Sequence, residues 1–249
     1  MAYWVVKAVL TPIFRFFWRV RVEGADQIPT DGSAILASNH LAVLDSFFLP
    51  MVVRRRITFV AKAEYFEDPK TAWFFRAVGQ IPIKRGGGTA SQAALDTAKE
   101  VLQGGDLFGI YPEGTRSPDG RLYKGRTGVA RLALDTGSPV VPVAMIGTRE
   151  VNPIGAAKPN VFLPVTIRIG KPLRFDRYQD RAGDPLVLRQ ITDEIMFELR
   201  SLSGQEYVNA YAKRNDPEAL PQAEPTPVLS GPPVPALEGV TSAAAPAAV

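Results

Sequence analysis

The sequence predicts an α/β fold, a mixed and mainly parallel sheet flanked by helices, and three observations carry that expectation. Between about residues 21 and 171, short apolar runs alternate with segments of helical periodicity, as strands do when helices separate them. The length, 249 residues, suits one sizeable domain with ample material for a core. Apolar residues make up 46% and charged residues 22%, ordinary globular proportions that argue against a disordered chain.

The first element is distinctive. Residues 1–20 carry Trp4, Val9, Ile13, Phe14, Phe16, Phe17 and Trp18, with Lys7, Arg15 and Arg19 set among them. No uncharged apolar run reaches the ~18 residues that a membrane span needs. A signal peptide fits poorly, because cations follow the apolar part and no small-residue cleavage site is present. Residues 1–20 are therefore expected to form an amphipathic helix lying in a membrane interface, with rings in the acyl boundary and cations at the headgroups. The competing reading is a terminal helix docked on the body of the protein. Two tryptophans interleaved with cations favour the interface.

Strands are expected at residues 20–22, 34–37, 58–60, 81–83, 107–110, 140–145 and 165–169, and helices at 44–53, 71–78, 90–102 and 128–134. Pro142 inside the run 140–145 marks an edge strand or a bulge. A further helical pattern covers 184–203, and 205–213 reads as its continuation. Residues 221–249 are rich in proline and alanine and nearly uncharged, so they cannot build a packed core. The expected organisation is an interface helix over 1–20, one domain over 21–215 and a disordered tail over 216–249.

Composition removes several chemistries. The chain has no cysteine and one histidine, His40, which excludes thiol nucleophiles and disulfides and argues against a structural zinc site. A net charge of +4 suits anionic substrates or anionic lipid, and equally plain solubility. The basic residues form no stripe with stacking aromatics, so no nucleic-acid partner is expected.

Proton chemistry near neutral pH therefore points to His40, followed five positions later by Asp45. Five residues along a regular helix rotate ~500°, which separates the two side chains. A direct contact needs a strand-to-helix corner, with His40 on the corner and Asp45 in the first helical turn. Asp45 there would face the positive end of the helix dipole and stay ionised, orienting the imidazole as a base. The alternative is a histidine at a strand end and an aspartate that caps a helix. A second segment, Glu113-Gly114-Thr115-Arg116, follows the strand at 107–110. A glycine turn there exposes backbone N–H groups to an anion, and Arg116 offers a fork for two phosphate oxygens, with Lys124 and Arg126 close behind. The alternative is a surface hairpin with Glu113 and Arg116 paired. Lys84 and Arg85, after the strand at 81–83, lack both nucleotide-loop spacings. They bind phosphate only if they lie near His40.

These segments, in this order, resemble the lysophosphatidate acyltransferase family. Asn39, His40 and Asp45 match its NHxSxxD block, and residues 111–117 match its [FY]PEGTRS block in full. Gly79, Ile81, Ile83 and Arg85 meet the second block, Val141 to Ala144 the fourth, and Lys124 the basic step after the third. Ala42 replaces the usual serine of the first block, and Pro82 and Lys84 replace the phenylalanine and aspartate of the second.

The resemblance covers about residues 20–175 and implies a glycerolipid acyltransferase-like fold. It further implies transfer of a fatty acyl group from acyl-CoA or acyl carrier protein to the sn-2 hydroxyl of 1-acyl-glycerol-3-phosphate. His40 and Asp45 would be catalytic; Arg85, Glu113, Gly114, Thr115, Arg116 and Lys124 would form the substrate site. No cofactor is expected. The expected partners are a lysophospholipid acceptor and a membrane surface, with the protein on the cytoplasmic face of the plasma membrane, peripheral or monotopic. Two rivals stay open: a same-fold transferase acting on another lipid or glycan, and a non-catalytic membrane-surface lipid-binding protein.

Overall fold

The structure is a computed structural model, and it describes residues 2–83 and 87–213. In chain order its first half comprises α1 (Ala2–Phe17), β1 (Arg19–Glu23), β2 (Ala34–Ser38), α2 (Asp45–Val52), β3 (Ile57–Lys62), α3 (Glu64–Glu67), α4 (Pro69–Ala77), β4 (Ile81–Ile83) and α5 (Gly87–Gln103). The second half comprises β5 (Leu107–Ile110), β6 (Leu122–Tyr123), α6 (Gly128–Thr136), β7 (Val140–Ile146), α7 (Thr148–Val151), β8 (Pro164–Ile169), α8 (Pro185–Ser203) and β9 (Tyr207–Val208).

Seven strands form one sheet in the order β1-β8-β7-β2-β5-β3-β4, and every pair is parallel except β7 with β8. This is the expected mixed, mainly parallel sheet. Its centre is β2, whose five residues are all buried, as a parallel strand covered on both faces must be. Alternation along the strands then divides the apolar residues between two cores. Ile35, Ala37 and Phe108 face α5, α6 and α8, where Leu132, Ile191 and Ile195 meet them. Ala34, Leu36 and Leu107 face the other way, onto Phe14 and Trp18 at the end of α1 and Phe48 and Leu49 of α2.

The helix α1 is docked on the body through Tyr3 and Phe14, and it is apolar outward as well. Trp4, Val5, Val9, Ile13 and Phe16 are exposed. Lys7 does not join Arg15 on an outward polar side: it turns inward and its ammonium donates to the Val53 carbonyl. Among the described residues, no helix is long and apolar enough to cross a membrane.

Pro142 does not sit on an edge strand, because β7 lies between β2 and β8; of the two readings the bulge holds. The proline is accommodated where the partner strand slips: Val143 pairs with Ile169 but Val140 pairs with Leu173, so three steps of β7 face four of the partner. Nor does 205–213 continue the last helix. Gly204 adopts φ 72°, its N–H bonds to the Arg200 carbonyl, and the chain turns out of the helix. It then runs as β9, parallel to β6. The short elements α3, α7 and β6 fall below what periodicity detects. The tail expected over 216–249 lies outside the described residues.

Candidate active site

The corner between β2 and α2 places the histidine. Parallel pairing aligns Ala37 with Ile110, so the chains leaving β2 and β5 emerge side by side at the carboxyl ends of their strands, where open α/β sheets bind ligands. His40 leaves one, and Tyr111 and Glu113 leave the other.

Asp45 is fully buried as the first residue of α2. Its Oδ2 accepts the N–H of Leu41 at 2.7 Å and of Ala42 at 2.8 Å, and lies 3.0 Å from His40 Nδ1. Those bonds bend the five-residue loop back on itself, giving the contact that a regular helix would forbid. A carboxylate only accepts, so the imidazole donates from Nδ1 and keeps the lone pair on Nε2. A second contact holds the ring by its face: Tyr111 stacks on His40 with centroids 3.9 Å apart and planes at 13°. Phe59 stacks on Tyr111 in turn, at 5.7 Å. Phe59 lies so close over β5 that a Cβ on Gly109 would stand 2.2 Å from the ring, so only glycine fits there. The Tyr111 hydroxyl meets Ser46 Oγ at 2.9 Å. Burial, reinforced by the Asp45 charge, pushes that phenol well above its ordinary value.

The loop 112–117 is tied to the same corner. Glu113 is buried, and its two oxygens accept the N–H of His40 at 3.1 Å and of Tyr123 at 2.9 Å. Ser117 N donates to the His40 carbonyl at 2.7 Å. Burial raises the Glu113 carboxyl from 4.5 to about 7, against the pull of those two N–H donors. Gly114 turns the loop at φ 75°.

A cavity of about 600 Å³ opens in front of His40, within the range of small-ligand sites. Gly114, Thr115 and Arg116 line it together with His40. Its apolar wall comes from Leu10 of α1, Phe47 and Met51 of α2, and Phe74, Phe75 and Val78 at the end of α4. Among the described residues Arg116 has no carboxylate partner, which leaves its fork available.

The structure thus brings together His40, Asp45, Gly114, Thr115 and Arg116. Glu113 adjoins them but spends its carboxyl on backbone, with no face on the cavity. Lys124 stands apart, over the Tyr211 ring at 5.8 Å, sharing it with Arg126 at 5.1 Å. Arg85 lies outside the described residues. Asn39 stitches strands rather than facing the cavity: it bonds Met145 through both its oxygen and its nitrogen. Tyr111, Ser46, Phe59 and the α1 side chains are the participants that the motifs did not single out. Tyr111 was in plain view within the loop motif, but stacking on His40 has no sequence signature.

Comparison with known proteins bears on the family and the fold. A family model described as Acyltransferase matches residues 19–146. A chloroplastic 1-acyl-sn-glycerol-3-phosphate acyltransferase of Arabidopsis thaliana is 33% identical over 141 residues, covering 56% of this chain and 39% of that protein. A chloroplastic enzyme of the same description from Brassica napus is 31% identical, over 56% of this chain and 41% of its own. The matched part thus spans about two fifths of those relatives. Among solved structures, the 1-acyl-sn-glycerophosphate acyltransferase PlsC of Thermotoga maritima superposes with a TM-score of 0.61 at 29% identity, covering 75% of this chain and 71% of that one. The family model spans both the His40–Asp45 corner and the loop that carries Arg116, and the chain belongs to the acyltransferase family.

Proposed function

We propose that the protein transfers a fatty acyl group from a thioester, on coenzyme A or acyl carrier protein, to the sn-2 hydroxyl of 1-acyl-glycerol-3-phosphate, giving phosphatidic acid. The observation that carries this reading is the His40–Asp45 contact of 3.0 Å beside a cavity that both His40 and Arg116 line. An alcohol is a weak nucleophile at neutral pH, so its proton must leave as the oxygen attacks. His40 Nε2 takes that proton, while Asp45 fixes the tautomer and steadies the imidazolium that forms. The acceptor oxygen bonds to the thioester carbon, the carbonyl electron pair moves to oxygen, and collapse expels the thiolate, which takes the proton back from His40.

Arg116 binds the acceptor's phosphate through its fork. Gly114 and Thr115 bring the loop backbone beside that phosphate, and the apolar wall takes acyl chain. Glu113 holds the His40 segment against the loop. The thioester is already activated, so the reading calls for no cofactor. Both lipids reside in a bilayer, and the exposed apolar side of α1 supports a peripheral or monotopic attachment to it.

The test is an assay of the purified protein with acyl-CoA or acyl carrier protein as donor and lysophosphatidic acid as acceptor. Wild type should form phosphatidic acid with at least one donor, and His40→Ala should reduce turnover by at least 10³-fold with an unchanged melting temperature. Near wild-type turnover in His40→Ala would sink the assignment.

A further inference from the structure

We propose that the Ser46 hydroxyl is a second catalytic group, donating a hydrogen bond to the thioester carbonyl oxygen as it becomes an oxyanion; this rests on the acyl-transfer reading above. That step places a full negative charge on the former carbonyl oxygen, and a site excluded from water must meet it with a preorganised donor.

Five backbone N–H groups around the imidazole are already committed. The N–H groups of Leu41 and Ala42 go to Asp45, that of His40 to Glu113, that of Ser117 to the His40 carbonyl and that of Gly114 to the Tyr111 carbonyl. Ala42 is buried and has no hydroxyl. The N–H groups of Thr115 and Arg116 belong to the loop assigned to the phosphate, and on the cavity wall beside His40 the hydroxyls of Ser46 and Tyr111 bond to each other.

Either hydroxyl can donate in this pair, and one of the two directions serves the reaction. Two hydroxyls carry two protons, and the 2.9 Å bond between them uses one. Tyr111 is clamped between His40 and Phe59, which aims its hydroxyl. Burial keeps the phenol protonated, so it remains a donor. When Tyr111 donates to Ser46, the serine proton is free to turn into the cavity. Chained donors of this kind polarise one another, which strengthens the last of them. In the reaction the acceptor oxygen forms the new C–O bond and gives its proton to His40 Nε2. The carbonyl π pair moves to oxygen, where Ser46 O–H holds it, and returns as the C–S bond breaks; the proton on His40 leaves with the thiolate.

The experiment compares wild type, Ser46→Ala, Ser46→Thr, Tyr111→Phe and His40→Ala, with kcat and KM for both substrates. Ser46→Ala should lower kcat by about 10²-fold, the usual loss for one oxyanion donor, with KM for lysophosphatidic acid within a factor of two. Ser46→Thr, which keeps the hydroxyl, should recover most of the loss. Tyr111→Phe keeps the stacked ring and should lower kcat by less than tenfold. A Ser46→Ala kcat within threefold of wild type, failure of Ser46→Thr to recover activity, or a Tyr111→Phe loss as large as that of Ser46→Ala would each overturn the assignment. Turnover that dies in His40→Ala but survives in Ser46→Ala removes Ser46 alone. No turnover in wild type removes the acyl-transfer reading and the Ser46 role with it.

Discussion

Glu113 and Arg116 sit three residues apart in one loop and do opposite work. Glu113 is a carboxyl held in the protein's interior by two backbone donors, and burial raises it from 4.5 to about 7. Its folded value lies above its unfolded one, so the folded state holds the proton more tightly. The stabilisation from that proton is fully present below about pH 4.5 and is lost as pH rises through about 7. Glutamine carries no such proton. Wild type should therefore lose roughly 3 kcal/mol relative to Glu113→Gln between about pH 4 and pH 8. Urea denaturation of both proteins across that range measures it, and a pH-independent difference would refute the buried-carboxyl account. Arg116, by contrast, faces the cavity. Arg116→Ala should raise KM for lysophosphatidic acid at least tenfold and leave KM for a phosphate-free monoacylglycerol acceptor unchanged. Equal effects on both acceptors, or an effect on kcat alone, would argue against phosphate binding.

The elements show which parts of this chain could be read without coordinates. β5 coincides with the apolar run at 107–110, because a strand buried on both faces is a continuous apolar segment bounded by breakers, while β4, at the sheet edge with Pro82 exposed, coincides with the run at 81–83. The corner at His40 was also legible, since only a strand-to-helix turn lets residues five apart touch. The Tyr111 stack was not. It depends on β2 and β5 being neighbours, and their pairing joins segments about seventy residues apart. The same limit hid β9: residues 205–213 carry a helical spacing of apolar side chains, and only Gly204 at φ 72° marked the stop. Local signals state what an element is. Which elements adjoin is decided by the sheet order, and the site lives on that order.

At the scale of the whole molecule, the described residues include a surface whose chemistry does not suit water. On α1, Phe16 is 72% exposed, Val5 63%, Val9 56% and Trp4 49%, and these recur at helical spacing along one side. Phe162 extends the patch from another part of the chain, its ring 6.5 Å from Phe16 and 6.2 Å from Phe17. Among the described residues it is the one non-glycine with positive φ, at 63°, and its N–H is tied to the Phe17 carbonyl. A phenylalanine strained into that region and left 59% exposed is a costly way to display a ring. Contiguous exposed apolar surface marks a docking face, and α1 carries this one outside while lining the cavity inside through Tyr3 and Leu10. A lipid substrate would then pass from bilayer to cavity past a single helix. The triple variant Trp4→Ser, Val9→Ser, Phe16→Ser changes only exposed residues, so its melting temperature should match wild type. It should lose most of its flotation with vesicles, since each large side chain withdrawn from the acyl boundary forfeits roughly 1–3 kcal/mol. Its apparent KM should rise for lysophosphatidic acid presented in vesicles but not for a short-chain, water-soluble analogue. Unchanged flotation would refute the docking face; an equal rise in KM for both acceptors would show that the substitutions had disturbed the cavity rather than the membrane contact.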